Sequence, residues 1–235
     1  MFALLRSPSA RALRCAAPST RVAAFSAAAA EKEPLVLVEK VNNYAVVRMN
    51  RPPVNSLNTA LIQELDNTIK ALEQDKSVRG MILASSNQRV FSAGLDILEM
   101  YQPQPAKLAK FWTSLQDLFL RLYTTRLASV AAIEGHSPAG GCLLAMCCDY
   151  RIMTAGKPMI GLNETQLGIM LGLGLQVDAT KGKAIGLIDE AVPLEEVFPR
   201  SQSAIEKWLA IPDFAQTDKV QKSLEWYLNS LKKKN

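Results

Sequence analysis

The chain has 235 residues, of which 49% are hydrophobic and 21% are charged, a balance that supports a sizeable core and excludes a globally disordered protein. Its formal net charge is +5, but residues 1–30 contain four arginines and no acid, so the remainder carries only +1. A nucleic-acid partner is therefore not expected, because such proteins concentrate basic residues on their folded part.

Residues 1–30 have the composition of a targeting segment. They are rich in Arg, Ser and Ala, and the first acid is Glu31. The recurring arginines interrupt the long apolar run of a secretory signal, whereas an Arg-rich segment without acids is typical of a mitochondrial transit peptide. We therefore predict a mitochondrial transit peptide over residues 1–30 and a location in the mitochondrial matrix. The alternative is a basic tail without a targeting role.

The next part of the chain alternates between short apolar strands and an amphipathic helix. Residues 35–50 predict two strands joined by the turn-forming pair Asn42-Asn43, and residues 78–86 predict a buried strand. A helix is predicted between them, with Ser56 or Asn58 as its N-cap. Its apolar face recurs at spacings of 4, 4 and 3 and consists of Leu61, Leu65, Ile69 and Leu72.

The alternation continues towards the C-terminus. The sequence predicts a helix over 106–126, a buried strand over 129–135, a helix from 138, a strand over 149–153, a strand over 186–193, and helices over 195–210 and 218–234. Residues 168–186 show no firm period. The alternation predicts an α/β fold of βαβ-type units, with a core over 31–193 and a C-terminal helical region over 194–235. The sequence contains no apolar run of 18 residues that would indicate a membrane span.

Two glycine-containing turns and one acid are the candidate functional features. FSAGLD (91–96) and HSPAGGC (136–142) each follow a predicted strand. Small residues let bare backbone approach a ligand, so two such turns meeting at one point would supply two N–H donors to an oxyanion. Taken singly, the first could be a plain loop and the second a site of close helix packing. Glu164 is the one acid in IGLNETQLGI (160–169), and it could instead be a strand-end carboxylate facing water.

Taken together and in this order, these stretches resemble the enoyl-CoA hydratase/isomerase (crotonase) superfamily, and within it most closely the mitochondrial 3,2-trans-enoyl-CoA isomerases. The resemblance implies an α/β fold with a crotonase-type ββα spiral core, a fatty acyl-CoA substrate, no cofactor besides the CoA of that substrate, and a homotrimer. The stretches that carry it are RPPVNSLN, FSAGLDILEM, PAGGCLLAMCCDYRI, IGLNETQLGI and QKSLEWYL.

The resemblance also implies roles for single residues. The oxyanion-hole amides fall on Leu95 and Gly140, and Ala93, Gly94 and Asp96 fall in the acyl-CoA pocket. Hydratases of the family use two glutamates. The first position falls here on Leu143, which is neither acid nor base, and the second falls on Glu164. One carboxylate is the isomerase arrangement, in which Glu164 takes a proton from C2 and returns one to C4.

The chain departs from the family at two places. Compared with the family, we predict that a helix-length piece is missing after Ile169 and a second piece after Gln216, in the region that the family uses for trimer contacts. These gaps suggest an alternative transcript or an imperfect gene model. The rival interpretation is a shortened, non-catalytic form that co-assembles with complete subunits. A second rival is another acyl-CoA reaction, such as hydration.

Other kinds of site fit the sequence less well. His136, Ser137 and Asp149 could suggest a hydrolase triad, but no G-x-S-x-G elbow surrounds the serine. GLGL at 172–175 lacks the glycines of a dinucleotide fingerprint. The chain has a single His, so a zinc site is not expected. Buried thiols are expected at Cys142, Cys147 and Cys148.

Overall fold

The computed structural model describes residues 33–164 and 174–210. Its strands are β1 (Val36–Val41), β2 (Tyr44–Met49), β3 (Gly80–Ser85), β4 (Ala128–Ile133), β5 (Ser137–Pro138), β6 (Tyr150–Thr154), β7 (Met159–Gly161), β8 (Val177–Asp178) and β9 (Glu190–Val192). Its helices are α1 (Thr59–Gln74), α2 (Pro105–Thr124), α3 (Gly140–Met146), α4 (Ala179–Ala184) and α5 (Leu194–Leu209), with a 3₁₀ turn at Ile97–Glu99.

The strands form two sheets. The larger has the order β1-β2-β3-β4-β6-β9, in which β1 and β2 form an antiparallel hairpin and all other neighbours are parallel. The smaller has the order β5-β7-β8. In it, Ser137 pairs with Ile160 and Pro138 with Gly161. This pairing brings the chain just before Glu164 beside the HSPAGGC turn.

Local sequence explains the long helices. Asn58 caps α1, because its side chain accepts a hydrogen bond of 2.9 Å from the Leu61 amide, which confirms one of the two predicted caps. The predicted apolar face of α1 is buried, and Pro105 occupies the first turn of α2, where its missing N–H is not needed. The hairpin turn at Asn42 has a φ of +51°, a conformation that Asn tolerates better than most residues.

The central strands of the larger sheet are buried on both faces, whereas the edge strand β1 is mostly exposed. Alternate residues of β2 belong to different apolar clusters, with Ala45 and Val47 on the first face and Tyr44 and Val46 on the second. The buried faces of α1 and α2 complete the first cluster, and Val197, Ile205 and Leu209 of α5 complete the second. Because both faces of β3 are covered, its sequence GMILAS is continuously apolar rather than alternating between apolar and polar residues.

The predicted division into a core over 31–193 and a helical region over 194–235 stays a prediction. The loosely patterned stretch after residue 168 contains two elements that the sequence did not predict, β8 and α4. The predicted transit peptide, the gaps after Ile169 and Gln216 and the predicted helix over 218–234 lie outside the described residues.

Candidate active site

The FSAGLD turn is held by backbone hydrogen bonds on both sides of Leu95. The Leu57 amide donates to the Gly94 carbonyl at 2.8 Å, and the Asp96 amide donates to the Leu57 carbonyl at 3.1 Å. Gly94 has a φ of +88°, which a side chain would strain. The Leu95 amide lies between these bonds and donates to no acceptor among the described residues.

The second turn leads directly into α3. Ala139 has the unusual backbone angles φ 51° and ψ −125°, and its amide donates to the Gly161 carbonyl at 2.8 Å. Gly140 is the first residue of α3, and its amide has no acceptor in the described part of the chain. Such first-turn amides have no partner within their own helix, so they remain available to a ligand.

The two turns are in direct contact. A Cβ atom built on Gly94 would lie 2.7 Å from the Ala139 Cβ and 3.1 Å from the Gly140 nitrogen. A Cβ atom built on Gly140 would lie 3.3 Å from the Leu95 nitrogen. Gly94, with its positive φ, leaves no room for a side chain, whereas a Cβ at Gly140 would be in tight contact with the side chains of Leu57 and Leu95. The structure therefore brings together the two amides that the resemblance assigns to an oxyanion hole, while their role stays a prediction.

Glu164 is buried, with 9% of its surface exposed, so the sequence alternative of a strand-end carboxylate facing water is wrong. It follows β7, which the pairing with β5 fixes against the second turn. Its Oε2 atom has no hydrogen-bond partner within residues 33–164 and 174–210. Burial raises the pKa of the Cys142 thiol in α3 to about 12, and the nearby charge of Glu164 adds to that shift. The carboxylate thus lies close to the first turns of α3.

The other predicted site residues occupy different environments. Ala93 is exposed, and Leu143 is half-buried in α3, where it supplies an apolar side chain. Asp96 forms an ion pair of 2.9 Å with Arg51, and its side chain also accepts from the Leu98 amide. Asp96 therefore stabilises its own turn. Its contact with acyl-CoA, which the resemblance implies, stays a prediction.

A group of residues that the sequence does not reveal holds the first turn. Asn55 is 2% exposed, and its side chain donates to the Ser85 hydroxyl at 2.8 Å and the Phe91 carbonyl at 3.1 Å. The Ser92 hydroxyl donates to the Asn55 carbonyl at 2.8 Å and accepts from the Gly94 amide at 3.1 Å. These bonds connect residues from separate loops, so no local sequence pattern predicts them. The stretch RPPVNSLN contains Asn55 and also Arg51, which likewise bonds to the first turn.

Arg51 connects the segment that contains Ser56 with the turn that contains Asp96. Its guanidinium donates to the Ser56 carbonyl at 2.9 Å and to the Asp96 carboxylate at 2.9 Å. Because Ser56 precedes Leu57 and Asp96 follows Leu95, the arginine holds the two strands of chain that flank the Leu95 amide. Because its two nitrogens donate to different acceptors, the planar guanidinium bridges the two segments, which the point charge of a lysine could not do in the same geometry.

The hydrolase triad is not formed. The exposed His136 accepts a hydrogen bond of 3.2 Å from the Met159 amide, the buried Ser137 hydroxyl has no partner in the described part of the chain, and Asp149 accepts from Ser129 at 2.8 Å. All three cysteines of α3 and its C-terminal end, Cys142, Cys147 and Cys148, are free and buried, as predicted.

Two further kinds of feature are absent from the described residues. No group of three or more His, Cys, Asp or Glu side chains among them could hold a metal ion. Within the same ranges, no helix is long and apolar enough to cross a membrane.

Comparison with known proteins identifies relatives over most of the chain. Mitochondrial enoyl-CoA delta isomerase 1 of Mus musculus is 39% identical and aligns with 87% of this chain and 89% of its own length. The human protein of that name is 40% identical over 80% of each chain. The crystal structure of human mitochondrial delta3-delta2-enoyl-CoA isomerase superimposes with a TM-score of 0.75 and 38% identity, covering 86% of this chain and 99% of the human one.

The alignment also bears on the expected gaps. The mouse alignment extends over 258 positions, more than the 235 residues of this chain, so some positions of the relative have no counterpart here. This supports the prediction that segments are missing, without locating them.

The family itself is defined by its sequence profile. The profile of enoyl-CoA hydratase/isomerase matches residues 39–177, more than half of the chain. The solved human relative carries the same mixed α/β architecture, so the predicted crotonase fold is confirmed. The chain belongs to the enoyl-CoA hydratase/isomerase family.

Proposed function

We propose that the chain converts 3-enoyl-CoA to trans-2-enoyl-CoA in the β-oxidation of unsaturated fatty acids. The observation that carries the proposal is the contact between the Leu95 and Gly140 turns beside a single buried carboxylate, Glu164. Two amide donors can hold a thioester oxyanion, and one carboxylate can move a proton. The 39% identity to a mitochondrial enoyl-CoA delta isomerase supports this choice of reaction.

The reaction needs one base and one stabilised anion. The Glu164 carboxylate takes a proton from C2, and the electrons of that C–H bond form a dienolate whose negative charge lies on the thioester oxygen. The Leu95 and Gly140 amides donate to that oxygen, and each such donor contributes about 3–4 kcal/mol to transition-state stabilisation. The protonated Glu164 then returns its proton to C4, which leaves the double bond between C2 and C3.

The surroundings disfavour addition of water. Hydration needs a second acid or base, and the position of the family's other glutamate is taken by Leu143. The two carboxylates near the first turn are already engaged and so cannot serve as that second group. Asp96 forms an ion pair with Arg51, and Glu99 accepts a hydrogen bond from the Thr59 amide at 2.9 Å. We therefore expect negligible hydration of trans-2-enoyl-CoA.

A matched pair of glutamate variants tests the proposal. The full chain, E164Q and E134Q are incubated with trans-3-hexenoyl-CoA, and trans-2-hexenoyl-CoA is measured. Glu134 is buried to the same 9% exposure, but it lies on the other face of the large sheet, so it controls for the loss of a buried charge. We expect E164Q to lose about 10²- to 10⁴-fold in kcat and E134Q to retain the wild-type rate.

Other outcomes favour the rival functions. Formation of 3-hydroxyhexanoyl-CoA from the trans-2 substrate would identify a hydratase. A folded chain without turnover that co-elutes with a complete isomerase subunit would identify the non-catalytic, co-assembling form.

We also propose that the protein is delivered to the mitochondrial matrix and assembles as a homotrimer. The support for delivery is the composition of residues 1–30 and the mitochondrial relatives. The trimer is proposed from the family resemblance alone. Import into isolated mitochondria, with sequencing of the new N-terminus, tests the delivery. Sedimentation equilibrium tests the assembly, and a mass of one chain would contradict the trimer.

A further inference from the structure

A cavity lies on the opposite face of the large sheet from α1 and α2. Its volume is about 1020 Å³, and it lies at the carboxyl ends of β2, β3 and β4, under the first turns of α5. Arg48, Arg89, Glu134, Glu195 and Phe198 contribute to its lining, and Leu95, Gly140 and Glu164 do not. The cavity is thus separate from the candidate active site and is large enough for a small organic ligand.

Glu134 is the most unusual group of this cavity. Only 9% of its surface is exposed, and its side chain makes no hydrogen bond or ion pair with the described residues. Burial raises the pKa of its carboxyl group, and the charge of Arg48 lowers it to a smaller extent. Because its carboxyl group lines the cavity, a ligand with a positive group placed there would stabilise the charged form.

The backbone fixes Glu134 beside the loop that carries Arg89. A Cβ atom on the intervening Gly135 would lie 2.1 Å from the Arg89 carbonyl carbon, and the His136 amide donates to the Arg89 carbonyl at 3.0 Å. The two segments therefore touch at Gly135. Both side chains contribute to the lining of the cavity, and no hydrogen bond or ion pair joins them.

The two arginines also lack anionic partners. The Arg48 guanidinium lies 4.4 Å from the centroid of the Phe198 ring, and this stacking contact holds it in the cavity wall. Neither its side chain nor that of Arg89 makes a hydrogen bond or ion pair within the described part of the chain. Guanidinium groups suit planar, bidentate recognition of carboxylate or phosphate.

We propose that this cavity binds a small zwitterion, whose carboxylate or phosphate pairs with Arg48 and Arg89 and whose ammonium group faces Glu134. The four charged side chains of the lining, which include Glu195, sum to zero and so match a ligand without net charge. A simple anion would pair with the arginines but leave the buried carboxylate unpaired. A simple cation would leave both arginines unpaired.

Titration calorimetry on the full chain tests this assignment with two pairs of probes. The phosphodiester 2-aminoethyl methyl phosphate is compared with ethyl methyl phosphate, and β-alanine with propionate. Both zwitterions then carry no net charge, each pair differs in the ammonium group, and the two pairs distinguish phosphate from carboxylate. We expect one zwitterion to bind with a stoichiometry of one, and its ammonium-free counterpart to bind at least about tenfold more weakly.

Three variants locate the binding. E134Q should abolish the preference for the zwitterion, R89A should weaken both members of the pair, and E196Q, at an exposed neighbour of Glu195 outside the lining, should change neither. Equal binding of the ammonium-free probe, no heat from either zwitterion at millimolar concentration, or binding unchanged by E134Q would each overturn the proposal. The result is independent of isomerase activity, because turnover is not the quantity measured.

Discussion

Gly94 determines whether the two amide-bearing turns can meet. Its φ is +88°, and a methyl group at this position would lie 2.7 Å from the Ala139 Cβ and 3.1 Å from the Gly140 nitrogen, so there is no room for a side chain. In G94A the turns must separate, so the Leu95 and Gly140 amides can no longer reach one oxygen. We expect kcat for isomerisation of 3-hexenoyl-CoA to fall at least about 100-fold, the usual effect of losing one oxyanion donor.

G186A is the matched control. Gly186 has a similar φ of +78°, but a Cβ atom there would meet nothing within 4 Å. The G186A substitution should therefore lower the free energy of unfolding by about 1–2 kcal/mol through backbone strain alone and leave kcat unchanged. If G94A and G186A had the same kinetics, the contact between the turns would have no part in catalysis.

The buried thiols should be inert at moderately alkaline pH. Burial raises the pKa of Cys142 to about 12 and that of Cys147 to about 11, and burial raises the pKa of Cys148 as well. A raised thiol pKa means that the protonated, unreactive form persists at pH 8. In a C15S variant, which leaves these three cysteines alone, Ellman's reagent at pH 8 should find no rapid thiol until denaturant is added. One fast thiol in the folded protein would show that α3 is more accessible than its burial indicates.

The candidate site could be predicted from the sequence only where a residue type itself carries the chemistry. Glycine at 94 and 140 and the isolated acid at 164 are visible in the chain because few other residues could serve there. The bonds of Arg51, Asn55 and Ser92 were not predictable, since they join positions up to 45 residues apart and depend on side-chain geometry. The cavity around Glu134 was missed for the same reason, because Arg48, Arg89 and Glu134 meet only through the sheet order.

Arg126 caps the C-terminal end of α1. Its guanidinium donates at 2.7–3.2 Å to the Leu72 and Glu73 carbonyls in the last turn of α1, where helix carbonyls lack partners, and to the Asp75 and Val78 carbonyls of the loop that follows. R126A should lower the free energy of unfolding in urea by about 1–3 kcal/mol. R126K should restore only part of it, because an ammonium cannot donate in the same forked geometry.

R121A provides the comparison on the same helix pair. Arg121 forms ion pairs with the side chains of Asp66 at 2.6 Å and Glu73 at 3.2 Å, both of them in α1. Ion pairs in contact with solvent contribute little, so a loss of at most about 1 kcal/mol is expected. A larger loss in R121A than in R126A would show that the ion pairs, not the carbonyl contacts, fasten α2 to α1.

The elements themselves were predictable in proportion to their length. α1 and α2 contain enough turns for their apolar period to be evident, and the strands of the large sheet are continuous apolar runs. β8 and α4 have only 2 and 6 residues, which is too short for a period. β8 exists because Val177 pairs with Ile160, a contact between distant positions that no local pattern records.

For the whole described fold, both apolar clusters depend on the same strands. β2, β3 and β4 alternate their side chains between the first-face cluster under α1 and α2 and the second-face cluster under α5. Neither cluster can be exposed without disrupting the backbone that supports the other. We therefore expect residues on the two faces to unfold in one cooperative transition.

The tryptophans allow each face to be followed separately. Trp112 packs against the first-face cluster, with its ring 5.5 Å from that of Phe111, and Trp208 of α5 lies 5.5 Å from Tyr150 on the second face. With Trp226 replaced by Phe in both, W208F reports on the first face and W112F on the second. Each variant is unfolded in urea and followed by far-UV circular dichroism, which reports the whole fold, and by the fluorescence of its remaining tryptophan. In both variants the two probes should give the same midpoint, because the strands are shared. A fluorescence midpoint in the W112F variant below its circular dichroism midpoint would show instead that α5 detaches first and that the first face, with the candidate active site, folds without it.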